Sequence, residues 1–556
     1  MTIGAAPPPP AEKRLVWALI AGAVVVRLAY FRATGVTYED SFISLRYAEN
    51  LVRGHGLVYN VGEAVFGAST PLYVLLLAGL DWLGVHPATA AARAFTIAAD
   101  AGTLWLWSRL LRRATGSARP GLVFGVLFGL SPFFVEAAVS GMETSLALFL
   151  ASAAVYADTR ERPWLTGILL GLLCLTRPDG LLIAALVLGC RLWRTRRLPW
   201  RSTLMLAAWL APWTVFATLF YGTPLPHSIP AKVAAYNLHG EGRWLVNLSY
   251  ALFHFAPWHG SLAQLGFNAA LYLGFLIGIG RGWSLAGPWR LLTAWFLVWL
   301  AYLTIPGTLL FLWYLPMLIL PVYVLSGLGW GQWLEEAVRS EGRRRGWAWA
   351  PLAAMALGAL IWLPVAARHA ARTQAAEATV RRPLGEWLAR ESPPDALVAL
   401  EPIGYIGYYS QRRILDEVGL VSPAMVPLTR RGDGWFSDML RRFAPDYLVQ
   451  RPYFLAANST LNSQTRLFRN PEEQLEFALR YRPVRGFRSD DLPNRLLPAY
   501  RFVVFRRRSP AETAALRERA ETWSWATRRE WVSRLLTGEA LPAPPPQRAP
   551  RPDAGL

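Results

Sequence analysis

The chain has 556 residues, of which 53% are hydrophobic, with a mean hydropathy of +0.25 and a formal charge of +20. Many apolar runs approach the ~20 residues that cross a bilayer as a helix, which excludes an ordinary soluble protein. The positive charge does not indicate a nucleic-acid partner, because most arginines lie in short loops between apolar runs, as the positive-inside rule describes. We therefore expect a lipid bilayer, and no nucleic acid, as a partner.

The first apolar run, 15–34, predicts a membrane anchor that is retained. Residues 1–14 before it predict a disordered cytoplasmic N-terminus, with Lys13 and Arg14 at the membrane boundary. No small-residue cleavage site follows the run, so a removed signal peptide is not indicated. The next loop, 35–70, then lies outside the cytoplasm.

Arginine clusters predict which loops are cytoplasmic. They lie at 109–119, 160–162, 191–201, 281–290 and 339–345. Apolar runs between them fall near 91–110, 120–138, 144–157, 164–177, 178–193, 203–220, 262–280, 288–305, 308–328 and 347–366. Together with 15–34 these predict eleven crossings in a module spanning 15–367. The odd number places the C-terminal region outside, on the side of the membrane opposite the cytoplasm.

One apolar stretch, 71–84, does not fit a full crossing. As a helix it reaches only about 21 Å at 1.5 Å per residue. A crossing there would also reverse the side of the arginine cluster at 109–119. The stretch therefore predicts a re-entrant or short helix.

Residues 368–508 have a polar, mixed composition that predicts a small extracytoplasmic α/β domain. The predicted strands lie at 396–400, 404–409 and 446–449, and helical patterns lie near 383–391 and 434–443. Residues 509–556 predict a charged helical segment followed by a disordered proline-rich tail. The fold class is thus an α-helical polytopic membrane protein with a small C-terminal α/β domain.

Two adjacent carboxylates, Glu39 and Asp40, follow the first crossing at the predicted outer membrane surface. An acidic pair at that place suggests a catalytic site. A carboxylate beside the low-dielectric membrane edge can act as a stronger base than one in water. The alternative is a solvated loop end in which Asp40 caps a helix.

Several spaced segments resemble the GT-C membrane glycosyltransferases, and are most similar to the mycobacterial terminal arabinofuranosyltransferases and their bacterial relatives. In the first loop they are EDSFISLRY (39–47), GHGLVYN (54–60), GE (62–63) and STPL (69–72). Further along they are SGMET (140–144), TRPDG (176–180), YGTPLPHS (221–228) with AK (231–232), GYIGYY (404–409) and DEVGL (416–420). The resemblance covers roughly residues 15–450.

The resemblance implies transfer of a sugar, arabinofuranose in the most similar group, from a polyprenyl-phosphate donor to a cell-envelope glycan or lipid acceptor. Such transfer needs a base for the acceptor hydroxyl and cationic groups for the leaving phosphate. The family usually begins this loop with two aspartates, whereas this chain has Glu39, so Asp40 is the preferred base. Glu39 is a metal ligand, an orienting group or only a neighbour. Asp40, Glu39 and Glu143 are the candidate ligands of a divalent cation.

Lysine usage suggests a phosphate contact. The 57 Lys plus Arg residues include only two lysines, Lys13 and Lys232. Lys232 lies in a predicted outer loop, where a compact ammonium suits a phosphate oxygen; the alternative is a leftover surface lysine. Arg177, Arg46 and His227 are further candidates for the donor phosphate, although a lone loop histidine more often has a solvent or packing role.

Arg177 and Asp179 flank a Pro-containing turn at membrane depth, where ionisable groups are costly and are functional or mutually paired. We predict that they line the substrate cavity, with a purely structural turn as the alternative. The other predicted cavity residues are His55, Tyr59, Asn60, Glu143, Trp313 and Tyr314.

Two other functional classes fit part of the sequence. A polytopic transporter would also have buried charges, but no paired internal repeat is evident. An envelope scaffold without transferase activity would explain residues 368–508, but not the charges at the outer ends of several spans.

Overall fold

The structure is a computed structural model that describes residues 10–85, 88–236, 243–253, 262–285, 287–306, 309–339, 349–459, 465–489 and 497–537. The chain divides into two compact units. The first, the membrane unit, comprises Met1–Leu57, Ala68–Pro224 and Gly240–Gln374. The second, the α/β unit, comprises Val58–Gly67, Leu225–His239 and Ala375–Leu556. The predicted tail at 541–552 lies outside the described residues.

Helices α1 to α8 are Pro10–Thr34, Ser41–Val52, Pro71–Trp82, Ala88–Thr115, Arg119–Leu130, Pro132–Val139, Thr144–Thr159 and Pro163–Thr176. Helices α9 to α16 are Gly180–Thr195, Trp200–Tyr221, Ser228–Tyr236, Arg243–Phe253, Leu262–Ser284, Trp289–Thr304, Leu315–Arg339 and Ala350–Ala376. By length and composition, five described helices can cross a membrane, or six if the bent pair α5 and α6 is one span. Helices α3, α7, α8 and α14 are shorter but apolar. The count of eleven crossings stays a prediction.

The run predicted as one crossing at 120–138 is broken, because α5 and α6 meet at an angle of 62°. Pro132 has no N–H to donate to the Phe128 carbonyl one turn earlier. The buried Arg27 donates instead to the carbonyls of Phe128 at 3.3 Å and Gly129 at 3.0 Å. Its charge is balanced by Asp100, whose carboxylate accepts from Arg27 Nε at 2.6 Å. A buried ion pair thus satisfies the backbone at the bend.

The α/β unit contains a five-stranded sheet in the order β2-β1-β3-β5-β4. Strands β1 to β5 are Leu397–Leu400, Arg413–Asp416, Tyr447–Gln450, Tyr481–Phe487 and Phe502–Arg507. Strand β1 lies parallel to β2 and β3, whereas β5 is antiparallel to β3 and β4. Helices α17 to α24 are Arg382–Glu391, Ile403–Ser410, Val426–Arg431, Trp435–Phe443, Pro452–Ala457, Pro471–Arg480, Pro510–Glu521 and Trp525–Leu536.

The predicted strand at 404–409 is wrong, because these residues lie in helix α18. Its aromatic and β-branched residues favour a strand locally. However, Pro402 precedes the helix, and Tyr405 and Ile406 bury one side of it. The predicted strands at 396–400 and 446–449 correspond to β1 and β3.

The sequence boundary at 508 falls before the last packed helices of the α/β unit. Trp523, Trp531 and Leu535 on and beside α24 are buried in the same core cluster as Phe477 and Phe505. The charged segment after Ser509 is therefore a folded part of this unit, since its apolar side chains complete the core.

Two loops of the membrane part of the sequence belong to the α/β unit. Asn60 pairs with the edge strand β2, accepting from Ile414 N at 2.9 Å and donating to Ile414 O at 2.9 Å. The Tyr59 hydroxyl donates to the Ile403 carbonyl at 2.5 Å. His227 N donates to the Phe66 carbonyl at 2.8 Å, which joins the loop 58–67 to the segment that begins α11.

Candidate functional site

Asp40 immediately precedes α2, at the N-cap position, but its side chain does not cap the helix. Its backbone is helical, with φ −62° and ψ −21°, and its side chain makes no capping hydrogen bond. A capping residue usually has an extended backbone. Across the part of the chain that the structure describes, no hydrogen bond or ion pair engages this half-buried carboxylate. The capping alternative is therefore not what the structure shows, and the carboxylate is available for other contacts.

The loop start before Asp40 is fixed to the segment 140–144. Tyr38 N donates to the Ser140 carbonyl at 2.9 Å. Gly141 has φ +82°, and a Cβ there would lie 3.4 Å from the Ser41 hydroxyl oxygen. Two motifs that lie far apart in the sequence thus meet, and the positive φ of Gly141, rather than lack of space, is what favours glycine there.

Glu136 also holds this loop, although the sequence analysis did not identify it. Its carboxylate accepts from the hydroxyls of Tyr30 and Tyr38, each at 2.9 Å. Arg93 donates to the Val139 carbonyl at 3.2 Å and to the Thr37 hydroxyl. The sequence did carry a signal for Glu136. It is an ionisable residue inside an apolar run, and such residues are usually functional or paired.

Three of the predicted cavity residues form a buried charge cluster. Arg177 donates to both carboxylate oxygens of Asp179, at 3.0 and 2.7 Å, and to Glu143 at 3.1 Å. Each of the three side chains is only 5% exposed. The Arg177 guanidinium also lies 5.1 Å from the centre of the Tyr314 ring, a cation–π distance. The structure thus brings together four residues that the sequence analysis named.

The remaining predicted residues of the membrane unit lie in different environments. Trp313 stacks on Phe311, with ring centres 4.6 Å apart, and lies 6.1 Å from Tyr38. Arg46 is buried within α2, and His55 is exposed after its end.

The three predicted metal ligands do not form a metal-binding group. Across the described ranges, no three His, Cys, Asp or Glu side chains converge in that way. Glu143 is instead paired with Arg177. Glu39 and Asp40 remain adjacent at the start of α2.

Lys232 lies on α11, in the α/β unit, four residues before Tyr236, so the two share one face of the helix. The Tyr236 hydroxyl donates to Glu401 at 3.3 Å, and Arg451 pairs with the same carboxylate at 2.8 Å. Burial opposes the ionisation of Glu401, but Arg451, Arg381 and the Tyr236 hydroxyl together outweigh burial and lower the pKa of this carboxyl. Burial lowers the pKa of His227, which favours a neutral ring.

Polar residues collect where the parallel strands end. Glu401 follows β1, Asp416 and Glu417 end and follow β2, and Gln450 ends β3. The Gln450 amide donates to Glu417. Burial, and then the charge of Glu401, raises the pKa of Glu417 to about 8. Burial raises the pKa of Asp416 to about 7, although backbone N–H groups oppose the shift.

These pKa values predict that the α/β unit is less stable at high pH. The folded state keeps the Glu417 proton, with a pKa of about 8, while the unfolded chain loses it near 4.5. The contribution of the Glu417 proton to the free energy of unfolding is therefore full below about pH 4.5, declines as pH rises, and is lost above about pH 8. We expect Glu417→Gln to reduce this decline and to slow hydrogen exchange in β2 and β3 at pH 9.

The check is hydrogen exchange by mass spectrometry on the full chain at pH 6 and pH 9, corrected for intrinsic rates. The matched control is Glu472→Gln, whose carboxyl is exposed on the surface of α22. It should leave the exchange rates of β2 and β3 unchanged at both pH values. If exchange depended on pH equally in wild type and Glu417→Gln, the loss of stability at high pH would not come from Glu417. Part of the pH dependence should remain in the variant, because the pKa of Asp416 is also raised.

Comparison with known proteins gives a family model and solved structures of similar fold. Residues 368–508 match a domain of unknown function (DUF8728). No curated protein matches the chain. The chain is similar to the crystal structure of ArnT from Cupriavidus metallidurans bound to undecaprenyl phosphate, with 15% identity and a TM-score of 0.53 over 88% of this chain and 97% of that one. For ArnT in the apo state the values are 14% and 0.53, over 89% and 98%.

These likenesses show the fold. The chain is a mostly helical, multi-pass membrane protein with an ArnT-like GT-C architecture. The fold-level part of the predicted resemblance is thereby confirmed. The narrower relation to arabinofuranosyltransferases stays a prediction.

Proposed function

We propose that the protein is a membrane glycosyltransferase that moves a sugar from a polyprenyl-phosphate donor to a cell-envelope glycan or lipid acceptor. The observation that carries the proposal is the Asp40 carboxylate. It stands without a partner among the described residues, at the point where the loop start and the segment 140–144 are joined. The fold likeness to ArnT, whose structure was determined with undecaprenyl phosphate, supports the donor class.

In the proposed reaction, Asp40 removes the proton from the acceptor hydroxyl as its oxygen bonds to the anomeric carbon of the donor sugar. The bond from that carbon to the phosphate oxygen breaks, and the polyprenyl phosphate leaves with the electron pair. Asp40 then passes its proton to water. A positioned base of this kind contributes about 10²- to 10⁴-fold to a rate.

Lys232 is the proposed contact for the leaving phosphate from the lysine usage of the sequence. Arg177 already faces two carboxylates, which neutralise its charge, and Arg46 is buried in α2. His227 would act as a neutral hydrogen-bond donor, since burial lowers its pKa. Glu39 would orient the loop or the acceptor beside Asp40.

The finer parts of the proposal are the sugar, the acceptor and the sidedness. Arabinofuranose is the sugar that the sequence resemblance implies. The active site and the α/β unit would face outward from the bacterial plasma membrane, with eleven crossings and a cytoplasmic N-terminus. The test is to incubate the purified protein with a panel of polyprenyl-phosphate sugars and acceptors and to identify products by mass spectrometry. A transporter or a scaffold would give no product with any of them.

Replacement of Lys232 by arginine tests the need for a compact ammonium. We expect Lys232→Arg to raise the KM for the donor by about tenfold, because a planar guanidinium fits a single phosphate oxygen at this place less well. Lys13→Arg is the matched control, since Lys13 is the other lysine of the chain and is exposed on α1. Unchanged donor KM and kcat in Lys232→Arg would disprove the requirement.

A further inference from the structure

The antiparallel pair of β4 and β5 brings arginines into direct opposition. Arg482 on β4 is the register partner of Arg506 on β5. Two residues further along each strand, Arg508 N donates to the Arg480 carbonyl at 2.7 Å, so the ladder of hydrogen bonds continues past the end of β5. Like charges directly opposite each other destabilise a sheet. The arrangement therefore needs a compensating negative charge.

The described carboxylates compensate only part of this charge. Arg480 pairs with Glu476, which also binds Arg517. Among the described residues, the carboxylate that pairs with Arg482 is that of Glu512, at 3.9 Å. Glu512 is already engaged, because it accepts from Ser509 N at 2.8 Å in the capping box of α23.

Arg506 and Arg508 make no ion pair with any residue in the described ranges. The Nε atoms of Arg482 and Arg508 are buried and have no hydrogen-bond acceptor within those ranges. Burial, followed by the neighbouring charge of Arg482, lowers the pKa of Arg508. Two buried N–H donors and two unpaired charges at one place are what an anion would satisfy.

A β-bulge extends this cluster along one face of the edge strand. Between Pro483 and Arg485 the register shifts, so that Arg485 pairs with Val504 and Phe487 with Phe502. Residues 502, 504 and 506 share one face of β5, since side chains alternate along a strand. Their partners Phe487, Arg485 and Arg482 therefore share the corresponding face of β4. Without the extra residue Val484, Arg485 would point to the opposite face.

The face also carries aromatic surface. The Arg485 guanidinium lies 5.9 Å from the Phe487 ring centre, and the Trp387 ring lies 6.1 Å from the same ring. Because of the bulge, Arg482 and Arg485 pair with residues only two apart on β5, which is about 7 Å along a strand. Repeated cationic groups beside half-buried rings suit an extended chain of sugars with repeated anions, rather than one small ion.

We propose that Arg482, Arg485, Arg506 and Arg508 form a binding strip for an anionic glycan, with its carboxylate or phosphate groups between the guanidinium groups and a sugar ring against Phe487. Strand β4 ends the sheet, so no other strand in the described part of the chain covers its outer side. The strip gives the domain of unknown function a role in recognising a glycan chain. That this glycan is the acceptor rests on the proposed transferase function; the binding itself does not.

The test is direct binding to the purified full chain in detergent, with an oligogalacturonate as the carboxylate glycan and a neutral malto-oligosaccharide of equal length beside it. Inorganic phosphate and phosphatidylglycerol vesicles are separate arms. The site variant is Arg482→Gln with Arg506→Gln. The matched variant is Arg430→Gln with Arg431→Gln, which removes the same charge from exposed residues of α19.

We expect the site variant to bind the oligogalacturonate about tenfold more weakly, because charge-assisted contacts are lost. The matched variant should change the affinity less than twofold, and the neutral sugar should bind neither protein measurably. The thermal unfolding midpoint of the site variant should be unchanged or higher, since cross-strand repulsion is relieved.

Equal losses in both variants would show general charge attraction and overturn the site. Binding of vesicles or inorganic phosphate without the oligogalacturonate would also overturn it, as would a lowered unfolding midpoint with unchanged affinity. Failure of the transferase assay with intact glycan binding would refute the proposed function alone. Active transfer with no glycan binding would refute the strip alone.

Discussion

Asp40→Asn is expected to lower the transfer rate by about 10²- to 10⁴-fold while the protein stays folded. The amide has nearly the same shape as the carboxylate but cannot accept the acceptor proton at neutral pH. Because the Asp40 side chain makes no capping bond to α2, its replacement removes no structural contact of that kind. The measurement is single-turnover transfer with the donor identified by mass spectrometry, together with the unfolding midpoint of each purified variant.

Glu63→Gln is the matched control in the same loop, 35–70. Glu63 pairs with Arg413 at 2.6 Å on a partly exposed surface, so its loss should change stability little and transfer less than about twofold. If Asp40→Asn transferred sugar at the wild-type rate, Asp40 would not be the base. A lowered unfolding midpoint in Asp40→Asn alone would assign the residue to the fold.

Arg177→Met is expected to destabilise the membrane unit by about 3–5 kcal/mol, because it leaves two buried carboxylates without their counter-charge. Glu143 and Asp179 are each 5% exposed and both accept from Arg177. The triple variant Arg177→Met with Glu143→Gln and Asp179→Asn removes all three charges. We expect it to regain most of the stability but to retain a raised KM for the donor, if these residues line the substrate cavity as proposed.

Glu143 lies at the start of α7 and Asp179 at the start of α9, and these two helices supply a control at their other ends. Arg191 near the end of α9 pairs with Asp158 near the end of α7 at 2.6 Å, in a more exposed cluster that includes Glu161. Arg191→Met should lower stability by less and leave the donor KM unchanged. Full recovery of both stability and transfer in the triple variant would make the Arg177 cluster a structural feature only. The stability readout is the thermal unfolding midpoint in detergent.

Membrane character and the two-part organisation follow from patterns within short stretches of the chain. Apolar runs, arginine-rich loops and the polar composition after 367 each reflect a local requirement, and the described helices match most of the predicted runs. Arg177 and Asp179 could be paired from their spacing alone, because residues on both sides of a proline turn lie close together. The likeness to ArnT confirms the GT-C fold that the spaced motifs implied.

Other features depended on contacts between distant residues. The break in 120–138 is stabilised by Arg27, and the loop at Asp40 is held by Glu136, neither of which is near its partner in the sequence. Tyr59 and Asn60 were expected in a substrate cavity, but both side chains bind backbone groups of the α/β unit. The local sequence around Tyr59 and Asn60 is compatible with either lining a cavity or binding another segment of the chain.

The sequence by itself determined that the chain enters a membrane, that it carries a separate α/β region, and which carboxylates and cations are candidates for chemistry. These conclusions rest on composition, periodicity and spacing, which act over one helix or strand. Only the tertiary structure decided that 404–409 is helical, that 58–67 and 225–239 fold with the α/β unit, and that a bulge aligns Arg485 with Arg482. Those outcomes follow from burial and hydrogen bonding between segments up to hundreds of residues apart, and such pairings leave no regular spacing along the chain.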